Sequence, residues 1–457
     1  MPDPYAQDRV LIANRGELAV RIARVARALG MESVLAASAA DRDSLAAQEA
    51  DRVVVIGSAQ VRESYLNAPR IMHAAIGTHC TALHPGYGFL SEQPTLVDMC
   101  AQNGITFVGP TAEAMRRVGD KLSARALARS VSVPMTSGSE EIASTEHALE
   151  TASQIGYPVI TKASAGGGGR GMFVAGSPAE LSISFEKASA AAREAFGDGT
   201  LYLERFVERA RHIEVQLVGD GEGRVVHFGE RDCSLQRRYQ KMIEEAPAAI
   251  LPEPARAQLH QAAVSLLAGI RYRNAGTVEF LYDEPTQQFF FMEVNARLQV
   301  EHPVSELVTG VDLVRTQLLL ATGRGALPAQ AAVRMNGHAI EARIIAEDPN
   351  RDFLPSPGRV TRWRPPDGDG IRLDTAVTEG TLIPPYYDSM IAKLIVHGHT
   401  RSDAIDRLAG ALARFEIEGV ATNLRLLKFI VDHPDYRSNR VDTRWLERTL
   451  LPAFRAQ

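Results

Sequence analysis

The chain has 457 residues, which is too many for a single hydrophobic core of ordinary size. This length predicts about three domains. Apolar residues make up 45% and charged residues 23%, the balance of a globular protein. Lysine and arginine number 50 against 55 aspartates and glutamates, a formal charge of −5. That balance excludes a basic surface for nucleic acid or an anionic membrane, so we expect small molecules and other proteins as partners.

The N-terminal and cysteine patterns bear on cellular location. The first residues contain neither an apolar run nor an Arg-rich amphipathic stretch, so we expect no signal or transit peptide. No stretch of the chain approaches the length of a membrane-spanning helix. Cys80, Cys100 and Cys233 show neither metal nor disulfide spacing, which fits a reducing compartment. We therefore expect a cytoplasmic protein.

The first 118 residues alternate short apolar runs with helix-like segments. The run Val10–Ala13 is followed by a break at residues 14–17 and by helical spacing from Leu18 to Leu29. This alternation predicts a parallel α/β domain over residues 1–118. Its further strand-like runs are Ser33–Ala37, Arg52–Ile56, Ala82–His84 and Thr106–Val108.

The rest of the chain divides into two further units. Gly-rich punctuation, paired strand-like runs and longer helices predict an α+β domain over residues 119–334, with a small mobile lobe at about 137–206. Beyond it, strand-like runs at Ala339–Ile345 and Met390–Val396 precede the helix-like segment Ser402–Glu416. These elements predict a third domain over residues 335–451.

Four consecutive glycines, Gly166–Gly169, stand between the apolar runs Pro158–Thr161 and Met172–Ala175. Backbone N–H groups of glycine can close around phosphate oxygens, and Lys162 adds a positive charge. The loop contains a G-x-G-x-x-G match, but a β-branched run follows it where the dinucleotide motif needs a helix, and the chain has no P-loop motif. Strand, loop and strand predict a flap over a nucleotide; the alternative is a mobile surface hairpin.

Two glutamates stand in consecutive strand-like runs. Glu279 lies in Gly276–Tyr282 and Glu293 in Gln288–Asn295, with turn residues between the runs. An odd-numbered hairpin loop puts both carboxylates on one face, whereas an even-numbered loop puts them on opposite faces. Beside a phosphate-binding loop, adjacent carboxylates favour a hard divalent cation such as Mg²⁺. The alternative is an exposed pair on the solvent face of an amphipathic hairpin.

Alternation continues beyond the second glutamate as far as residue 301. Apolar side chains occupy the even positions, so an extended chain presents the odd positions as one polar row that ends at a prolyl segment. Such a row suits a metal ion, a small planar anion and a general base held together; the alternative is a charged surface strand. The row consists of Glu293, Asn295, Arg297, Gln299 and Glu301.

Taken together, the sequence resembles the biotin carboxylase family of ATP-grasp enzymes over nearly its whole length. The resemblance implies an ATP-grasp fold of mixed α/β and α+β class, with an N-terminal Rossmann-like domain and a C-terminal biotin carboxylase domain. It implies ATP- and bicarbonate-dependent carboxylation of biotin through carboxyphosphate. The matching segments are Ile12–Glu17, His84–Glu92, Gly119–Lys121, Lys162–Met172, Arg211–Gln216, Glu230–Lys241, Met292–Pro303, Ile340–Arg343 and Pro384–Met390.

The resemblance also implies the residues of the ATP site. Two lysines would hold phosphates, residues 204–207 would form the hinge at the adenine, and Glu279, Glu293 and Asn295 would bind two Mg²⁺ or Mn²⁺ ions. The two glutamates belong to the ATP site as well. Its other members are Lys121, Lys162, Gly168, Gly169, Glu204, Arg205, Phe206, Val207, His212, Gln236 and Tyr239.

A second group of residues is implied for bicarbonate and biotin. Glu301 corresponds to the base that deprotonates bicarbonate, and Arg343 to the arginine that stabilises the biotin enolate. Tyr87 borders the biotin site. The bicarbonate pocket would consist of Lys241, Arg297, Gln299 and the backbone of Val300.

The sequence departs from the family pattern at three positions. Tyr239 replaces the usual histidine, which puts a ribose or phosphate contact in doubt because a tyrosine donates one hydrogen bond but cannot become a cation. Ala296 replaces a common threonine on the apolar side of the row, where we expect little effect. Gln93 stands where asparagine is usual.

The resemblance implies a homodimer that works with other polypeptides. Because the chain lacks a Met-Lys-Met biotinylation motif, biotin would arrive on a separate biotin carboxyl carrier protein, and a carboxyltransferase subunit would complete the system. Acetyl-CoA carboxylase of fatty-acid synthesis is the expected context. Propionyl-CoA, methylcrotonyl-CoA and pyruvate carboxylases are the alternatives.

Two other functional classes agree less well with the sequence. A nucleotide-binding subunit without catalysis would have lost the base, the bicarbonate arginine or the metal ligands, all of which are present. A different ATP-grasp ligase, acting on an amino acid or a purine precursor, disagrees with the match that extends through Arg343 and the C-terminal unit.

Overall fold

The structure is a computed structural model that describes residues 8–142, 144–164 and 172–456. Gly168 and Gly169, with the rest of the predicted glycine loop, lie outside the described residues. The described chain combines a parallel sheet, a small three-stranded sheet and a large antiparallel sheet. No helix among the described residues is long and apolar enough to cross a membrane.

The N-terminal region is a five-stranded parallel sheet with strand order β3-β2-β1-β4-β5. Its apolar strands are covered by helices, as the alternating pattern predicts. The order places the carboxyl ends of β1 and β4 side by side, so the loops after them meet at one edge. The elements are β1 (Arg9–Ile12), α1 (Gly16–Ala28), β2 (Glu32–Ser38), α2 (Leu45–Glu49), β3 (Arg52–Gly57), a 3₁₀ turn (Val61–Glu63), α3 (Ala68–Gly77), β4 (Ala82–His84), α4 (Pro94–Gln102), β5 (Thr106–Phe107) and α5 (Ala112–Gly119).

A small lobe follows, in which the three-stranded sheet β7-β6-β8 packs against two helices. Its buried side chains, among them Leu181, Phe185 and Leu203, form a core separate from those of the two larger sheets. Lys162 lies on the central strand and Glu204 on its neighbour. Helix α6 (Lys121–Ser130) precedes the lobe and packs against α5. The elements of the lobe are α7 (Thr145–Ile155), β6 (Val159–Ala163), β7 (Phe173–Ala175), α8 (Pro178–Phe196) and β8 (Leu201–Arg205).

The central region supplies five strands of an eight-stranded antiparallel sheet with order β13-β12-β9-β10-β11-β14-β21-β19. Its strands are long, and one face of their middle section carries buried charged residues in place of apolar ones. The elements are β9 (Ala210–Asp220), β10 (Val225–Arg237), β11 (Gln240–Ala246), α9 (Glu253–Ala268), β12 (Arg273–Asp283), β13 (Gln288–Asn295), α10 (His302–Thr309) and α11 (Leu313–Ala321).

The C-terminal region continues the same sheet, because β14 pairs with β11 and β21 pairs with β14. The predicted helix Ser402–Glu416 ends at Arg414, since Glu416 begins a short strand that pairs with β18. The elements are a 3₁₀ turn (Gln330–Ala332), β14 (His338–Ile345), β15 (Glu347–Asp348), a 3₁₀ turn (Pro349–Arg351), β16 (Leu354–Pro355), β17 (Gly358–Arg359), β18 (Arg362–Arg364), β19 (Ile371–Thr375), β20 (Leu382–Ile383), β21 (Met390–Gly398), α12 (Arg401–Arg414), β22 (Glu416–Glu418), α13 (Leu424–Asp432), α14 (Pro434–Arg437), a π-helical turn (Leu446–Leu450) and α15 (Leu451–Arg455).

A buried ion pair ties the central strands to the C-terminal region. The carboxylate of Glu245 on β11 accepts hydrogen bonds from Arg401 at 2.7 and 2.9 Å and lies 2.9 Å from Nε2 of His338. Burial alone would raise the pKa of Glu245, but the hydrogen bond from His338 and the charge of Arg401 lower it well below its usual range. The ionised form is therefore stabilised by folding.

Glu245→Gln should lower the free energy of unfolding at pH 7 by about 3 kcal/mol, because it leaves the Arg401 charge buried without its partner. Since the folded pKa is depressed, the loss should be constant from neutral pH down to the unfolded pKa of about 4.3 and shrink below it. Urea unfolding at a series of pH values measures this difference. Glu253→Gln, at an exposed glutamate, is the matched control. Equal losses in the two variants would contradict the assignment.

Candidate active site

The hairpin of β12 and β13 places Glu279 directly opposite Glu293. Asp283 pairs with Gln288, which leaves residues 284–287 as the loop, so the even-numbered alternative is the one observed. By parity alone the two carboxylates would face opposite sides of the sheet. A β-bulge corrects the register, because Phe280 pairs with Phe291 and Met292 is the extra residue.

The row of facing residues extends across four strands. Glu279 pairs with Glu214 on β9, and Glu214 pairs with Arg231 on β10, so three carboxylates and one guanidinium stand side by side. Neighbouring strands lie about 4.8 Å apart, close enough for the like charges to repel strongly when buried. Glu214 and Arg231 are fully buried. The face therefore requires further cations or ligands.

Lys241 supplies the principal cation of this face. Its Nζ lies 2.5 Å from Glu214, 3.1 Å from Glu279 and 2.6 Å from Glu301. It lies on β11 beside the two-residue turn from β10, which points it back over the row. Burial opposes its charge, but the three carboxylates raise the pKa of Lys241 well above its usual range. The Lys241 ammonium group thus links strands β9, β11 and β12 to the segment that follows β13.

Arg231, at the end of this row, is a second cation that binds one of the same carboxylates, Glu214. Its guanidinium donates to Glu214 at 2.5 Å and to Gln299 at 2.8 Å, and it also reaches Gln216, Thr277 and Ser305. Gln299 in turn donates to Glu279 at 2.7 Å. A buried arginine with its donors occupied in this way holds the surrounding side chains in one arrangement.

The polar row predicted for residues 293–301 is present, although regular strand pairing ends at Asn295. Val294, Ala296 and Leu298 pack into hydrophobic cores, as the alternation predicts. The chain then turns, and Glu301 is the first residue before α10, where Pro303 lies in the first helical turn. The turn directs the Glu301 carboxylate back toward the sheet.

Glu301 is held between two cations. One carboxylate oxygen lies 2.6 Å from Lys241, and the other accepts a hydrogen bond of 2.9 Å from Arg343 on β14. Burial opposes ionisation, but Lys241, Arg343 and Arg231 lower the pKa of Glu301 well below its usual range. Glu301 is therefore an ionised carboxylate at neutral pH.

Arg343 is itself bound by a second buried carboxylate. Its Nε donates to Glu244 on β11 at 2.6 Å. Burial raises the pKa of Glu244 to about 7, against the opposing effect of the Arg343 charge. Glu341, which pairs directly with Glu244, is also buried, and burial raises its pKa well above the usual range. Arg343 is thus held between two carboxylates, those of Glu244 and Glu301.

Arg297 is the middle residue of the polar row. It donates to Asn295 at 2.7 Å and to Glu92 at 2.9 Å. Glu92 also accepts from the backbone N–H of Ala296 at 2.9 Å. The loop after β4 therefore anchors the guanidinium and the chain beside it, which orients Arg297 toward the same face as Lys241.

Residues that the sequence predicted for the nucleotide lie in two places. Lys121 begins α6, and burial lowers its pKa, an effect that the nearby charge of Lys162 reinforces and that of Glu293 opposes. Lys162 donates to Glu204 at 2.6 Å, and Arg125 donates to the other carboxylate oxygen of Glu204. The side chain of Glu204 is thus occupied by two cations, and its backbone pairs with Ile160 on β6.

The rest of the predicted hinge lies on the surface between the lobe and the large sheet. Arg205 is exposed, whereas Phe206 and Val207 are half-buried. The backbone N–H groups of Arg205 and Phe206 already donate, to Ser137 at 2.7 Å and to Pro158 at 3.0 Å. The hinge is therefore held in place by its own small lobe.

His212 and Gln236 face the site, but Tyr239 lies at its margin. His212 Nε2 lies 3.0 Å from Glu279, and Gln236 pairs directly with Lys241. Tyr239 is 49% exposed and forms a two-residue turn with Arg238, in which both residues have positive φ angles. Within the described residues its hydroxyl has no hydrogen-bond partner, so the structure places this atypical residue beside solvent.

Tyr87 and the backbone of Val300 both lie near a further buried cation, Lys393. The Tyr87 hydroxyl donates to Glu17, the first-turn glutamate of α1. The Val300 carbonyl accepts a hydrogen bond of 3.0 Å from Lys393. The loops after β1 and β4 therefore reach the same side of the sheet as Glu301.

The donor set fits a hard divalent cation. Glu279 and Glu293 face each other, and burial together with the charge of Glu279 raises the pKa of Glu293. Among the described residues the Glu293 carboxylate has no hydrogen bond or ion pair within 4 Å, and Oδ1 of Asn295 accepts a hydrogen bond of 2.7 Å from Arg297. Oxygen ligands of this kind suit Mg²⁺ bound together with phosphates. Among the described residues, a second compact donor set is formed by His212, Glu214 and Glu279.

Several site residues were not singled out from the sequence. Glu92, Glu214, Arg231, Glu244 and Lys393 all contact predicted site residues. The available signal is the number of charged and polar residues within long strand-like segments, as in Arg211–Gln216 and Glu230–Arg237. Their partners are distant in sequence, so the pattern alone did not identify them.

Family models match three segments of the chain. Residues 6–115 match the biotin carboxylase N-terminal domain, and residues 341–448 match the biotin carboxylase C-terminal domain. Between them, residues 120–328 match the ATP binding domain of the carbamoyl-phosphate synthase L chain. These matches together span most of the chain.

Individual relatives extend the comparison over the full length. The biotin carboxylase of Nostoc sp. is 47% identical over 441 residues, 96% of this chain and 98% of its own. A crystal structure of biotin carboxylase from Campylobacter jejuni is 45% identical with a TM-score of 0.94, covering 96% of this chain and 98% of the other. The biotin carboxylase domain dimer of a Hydrogenobacter thermophilus 2-oxoglutarate carboxylase, in complex with MgADP and bicarbonate, is 42% identical with a TM-score of 0.93, covering 96% and 97%.

A small lobe over a large antiparallel sheet, with lysines above and paired carboxylates below, defines an ATP-grasp ligase. The family models and the full-length relatives then give the narrower assignment. The chain belongs to the biotin carboxylase family.

Glu92→Gln should raise the KM for bicarbonate about fivefold, because the neutral amide holds the Arg297 guanidinium less tightly than a carboxylate does. The KM for ATP should remain unchanged, since among the described residues Glu92 hydrogen-bonds to Arg297 and the backbone of Ala296 and not to Lys121 or Lys162. Initial rates of ATP hydrolysis at varied bicarbonate measure the effect. Glu113→Gln, at an exposed glutamate of α5, serves as the matched control. A change in the KM for ATP alone would disprove this role.

Proposed function

We propose that this chain uses ATP to carboxylate biotin with bicarbonate, and that it acts as the first half of a two-step carboxylase. The observation that carries the proposal is the ionised Glu301 carboxylate held between Lys241 and Arg343. This arrangement provides a base flanked by one cation suited to an anionic substrate and another suited to an enolate. The carboxylates Glu279 and Glu293 lie on the same face.

In the first step bicarbonate binds beside Lys241, Arg297, Gln299 and the backbone of Val300. Glu301 removes the bicarbonate proton as a bicarbonate oxygen attacks the γ-phosphorus of ATP, and the bond from that phosphorus to the ADP oxygen breaks. ADP and carboxyphosphate are the products. The Lys121 and Lys162 ammonium groups stabilise the charge on the phosphates.

In the second step the C–O bond of carboxyphosphate breaks to give CO₂ and phosphate. Phosphate takes the proton from the ureido nitrogen of biotin, and the nitrogen then attacks CO₂. Arg343 stabilises the enolate oxygen formed in between, as a preorganised cation does. Its anchoring by Glu244 keeps the guanidinium in position during this step.

Divalent metal completes the ATP site in this proposal. Glu279, Glu293 and Asn295 would hold Mg²⁺ or Mn²⁺, which neutralises charge on the transferred phosphoryl group when bound. The small lobe, about residues 137–206, serves as a lid that excludes water from the labile intermediate. The proposed domains are residues 1–118, 119–334 and 335–451.

The relatives suggest the assembly. We infer a homodimer that receives biotin on a separate biotin carboxyl carrier protein and works with a carboxyltransferase. Acetyl-CoA is the proposed final acceptor, since free-standing biotin carboxylases are among the most similar relatives. The alternative acceptors are propionyl-CoA, methylcrotonyl-CoA and pyruvate.

The test is the rate of MgATP hydrolysis by the purified chain with and without bicarbonate and free biotin. The proposal predicts hydrolysis that requires bicarbonate and rises with millimolar biotin. A nucleotide-binding subunit without catalysis would bind ADP but show neither dependence. Another ATP-grasp ligase would hydrolyse ATP only with its own acid substrate.

Glu301→Gln should lower kcat of the bicarbonate-dependent reaction by about 10²–10⁴-fold, the usual contribution of a positioned general base. Binding of ADP, measured by calorimetry, should be unchanged because Glu301 contacts the cations of the bicarbonate pocket. Glu284→Gln, in the exposed hairpin turn, is the control and should retain full activity. A Glu301→Gln enzyme with wild-type kcat would remove Glu301 from the mechanism.

A further inference from the structure

Lys393 is a fully buried lysine whose role the proposed chemistry does not explain. It lies on β21, and its side chain has 0% exposure to solvent. Its Nζ donates to the carbonyl of Val300 at 3.0 Å and lies 3.1 Å from Glu17. Asp374 on β19 is a more distant carboxylate at 3.8 Å. Burial of an ammonium is unfavourable unless its partners are well placed, so this position demands an explanation.

The two partners of Lys393 belong to different substrate pockets. Val300 immediately precedes the base Glu301, and its backbone belongs to the proposed bicarbonate pocket. Glu17 begins α1, and its carboxylate accepts a hydrogen bond from Tyr87, which borders the proposed biotin site. Lys393 therefore lies between the backbone of one pocket and the loops of the other.

The contact to Val300 constrains the base directly. The Val300 carbonyl belongs to the peptide group that continues into Glu301, so a charged hydrogen bond to that oxygen fixes the peptide plane. Regular strand pairing has already ended at Asn295, and within the described residues no strand neighbour holds this carbonyl. Lys393 supplies the restraint that a sheet partner would otherwise give.

The surrounding strands also align Lys393 with Arg343. The two residues pair directly across β14 and β21. Arg343 contacts the carboxylate of Glu301, and Lys393 contacts the carbonyl before it. The base is thus held at its side chain by one member of the pair and at its backbone by the other.

We propose that Lys393, held by Glu17, is a positioning residue that fixes the Val300–Glu301 peptide and couples the bicarbonate pocket to Tyr87. This inference rests on the proposed function, because the pockets are assigned by it. Movement of Tyr87 when biotin binds would pass through Glu17 and Lys393 to the base. A purely structural buried ion pair would affect folding without selecting one substrate.

The variants are chosen to separate these roles. Lys393→Met removes the charge at similar length, Lys393→Arg retains it, and Lys393→Met with Glu17→Gln leaves no unpaired buried charge. Lys428→Met, at a half-buried lysine of α13 that forms no ion pair within the described residues, is the matched control. Thermal melting and ADP calorimetry establish that each variant is folded.

Lys393→Met should raise the KM for bicarbonate about tenfold, the effect expected from losing a charge-assisted hydrogen bond, while the KM for ATP and ADP binding stay within about twofold of wild type. Lys393→Arg should restore part of the loss. Tyr87→Phe should raise the bicarbonate KM in the wild-type background but add nothing in the Lys393→Met background, because the connection is already broken.

Three results would overturn the inference. These are an unchanged bicarbonate KM in a folded Lys393→Met enzyme, parallel changes in the KM values of ATP and bicarbonate, or loss of folding in both Lys393→Met and the double variant. The last result would make Lys393 purely structural. Failure of the proposed function is a separate outcome, because the wild-type chain itself would then show no bicarbonate-dependent hydrolysis.

Discussion

The interaction on which the site depends is that of Lys241 with Glu214, Glu279 and Glu301. Three carboxylates buried within a few ångströms of one another would repel and would lose the solvation of water. The ammonium group of Lys241 and the guanidinium of Arg231, which stands in the same row as the carboxylates, make the arrangement possible. The same electrostatic balance keeps Glu301 ionised, which is the property required of a base.

The large antiparallel sheet supplies the precision that this balance needs. The neighbouring strands β13, β12, β9 and β10 place Glu293, Glu279, Glu214 and Arg231 in one row across the sheet. The next strand, β11, adds Lys241. Because β14 and β21 extend the same sheet, Arg343 and Lys393 come close to Glu301 although they are distant from it in sequence. Residues on packed strands are held more rigidly than residues on loops. The geometry of these charged side chains is therefore set by strand register.

Local patterns in the sequence predicted much of this architecture. The parallel sheet and the alternation of residues 293–301 follow from apolar periodicity, and the structure confirms both. Loop parity left the relative facing of Glu279 and Glu293 open; the loop is even-numbered, and the two carboxylates share a face because a bulge at Met292 shifts the register. The site contacts of Glu92 and Lys393 cannot be predicted from local patterns because they span 205 and 93 residues of chain. Such contacts depend on the pairing of β11 with β14 and of β1 with β4, which local periodicity does not encode.

The central claim is that bicarbonate itself attacks the γ-phosphate, with Glu301 as its base. The most direct test follows oxygen-18 from labelled bicarbonate during a brief reaction with MgATP and free biotin. If carboxyphosphate forms, its breakdown leaves one bicarbonate oxygen on phosphate, and mass spectrometry should find one labelled oxygen in each phosphate released. Phosphate without label would show that water attacks ATP and would contradict the account.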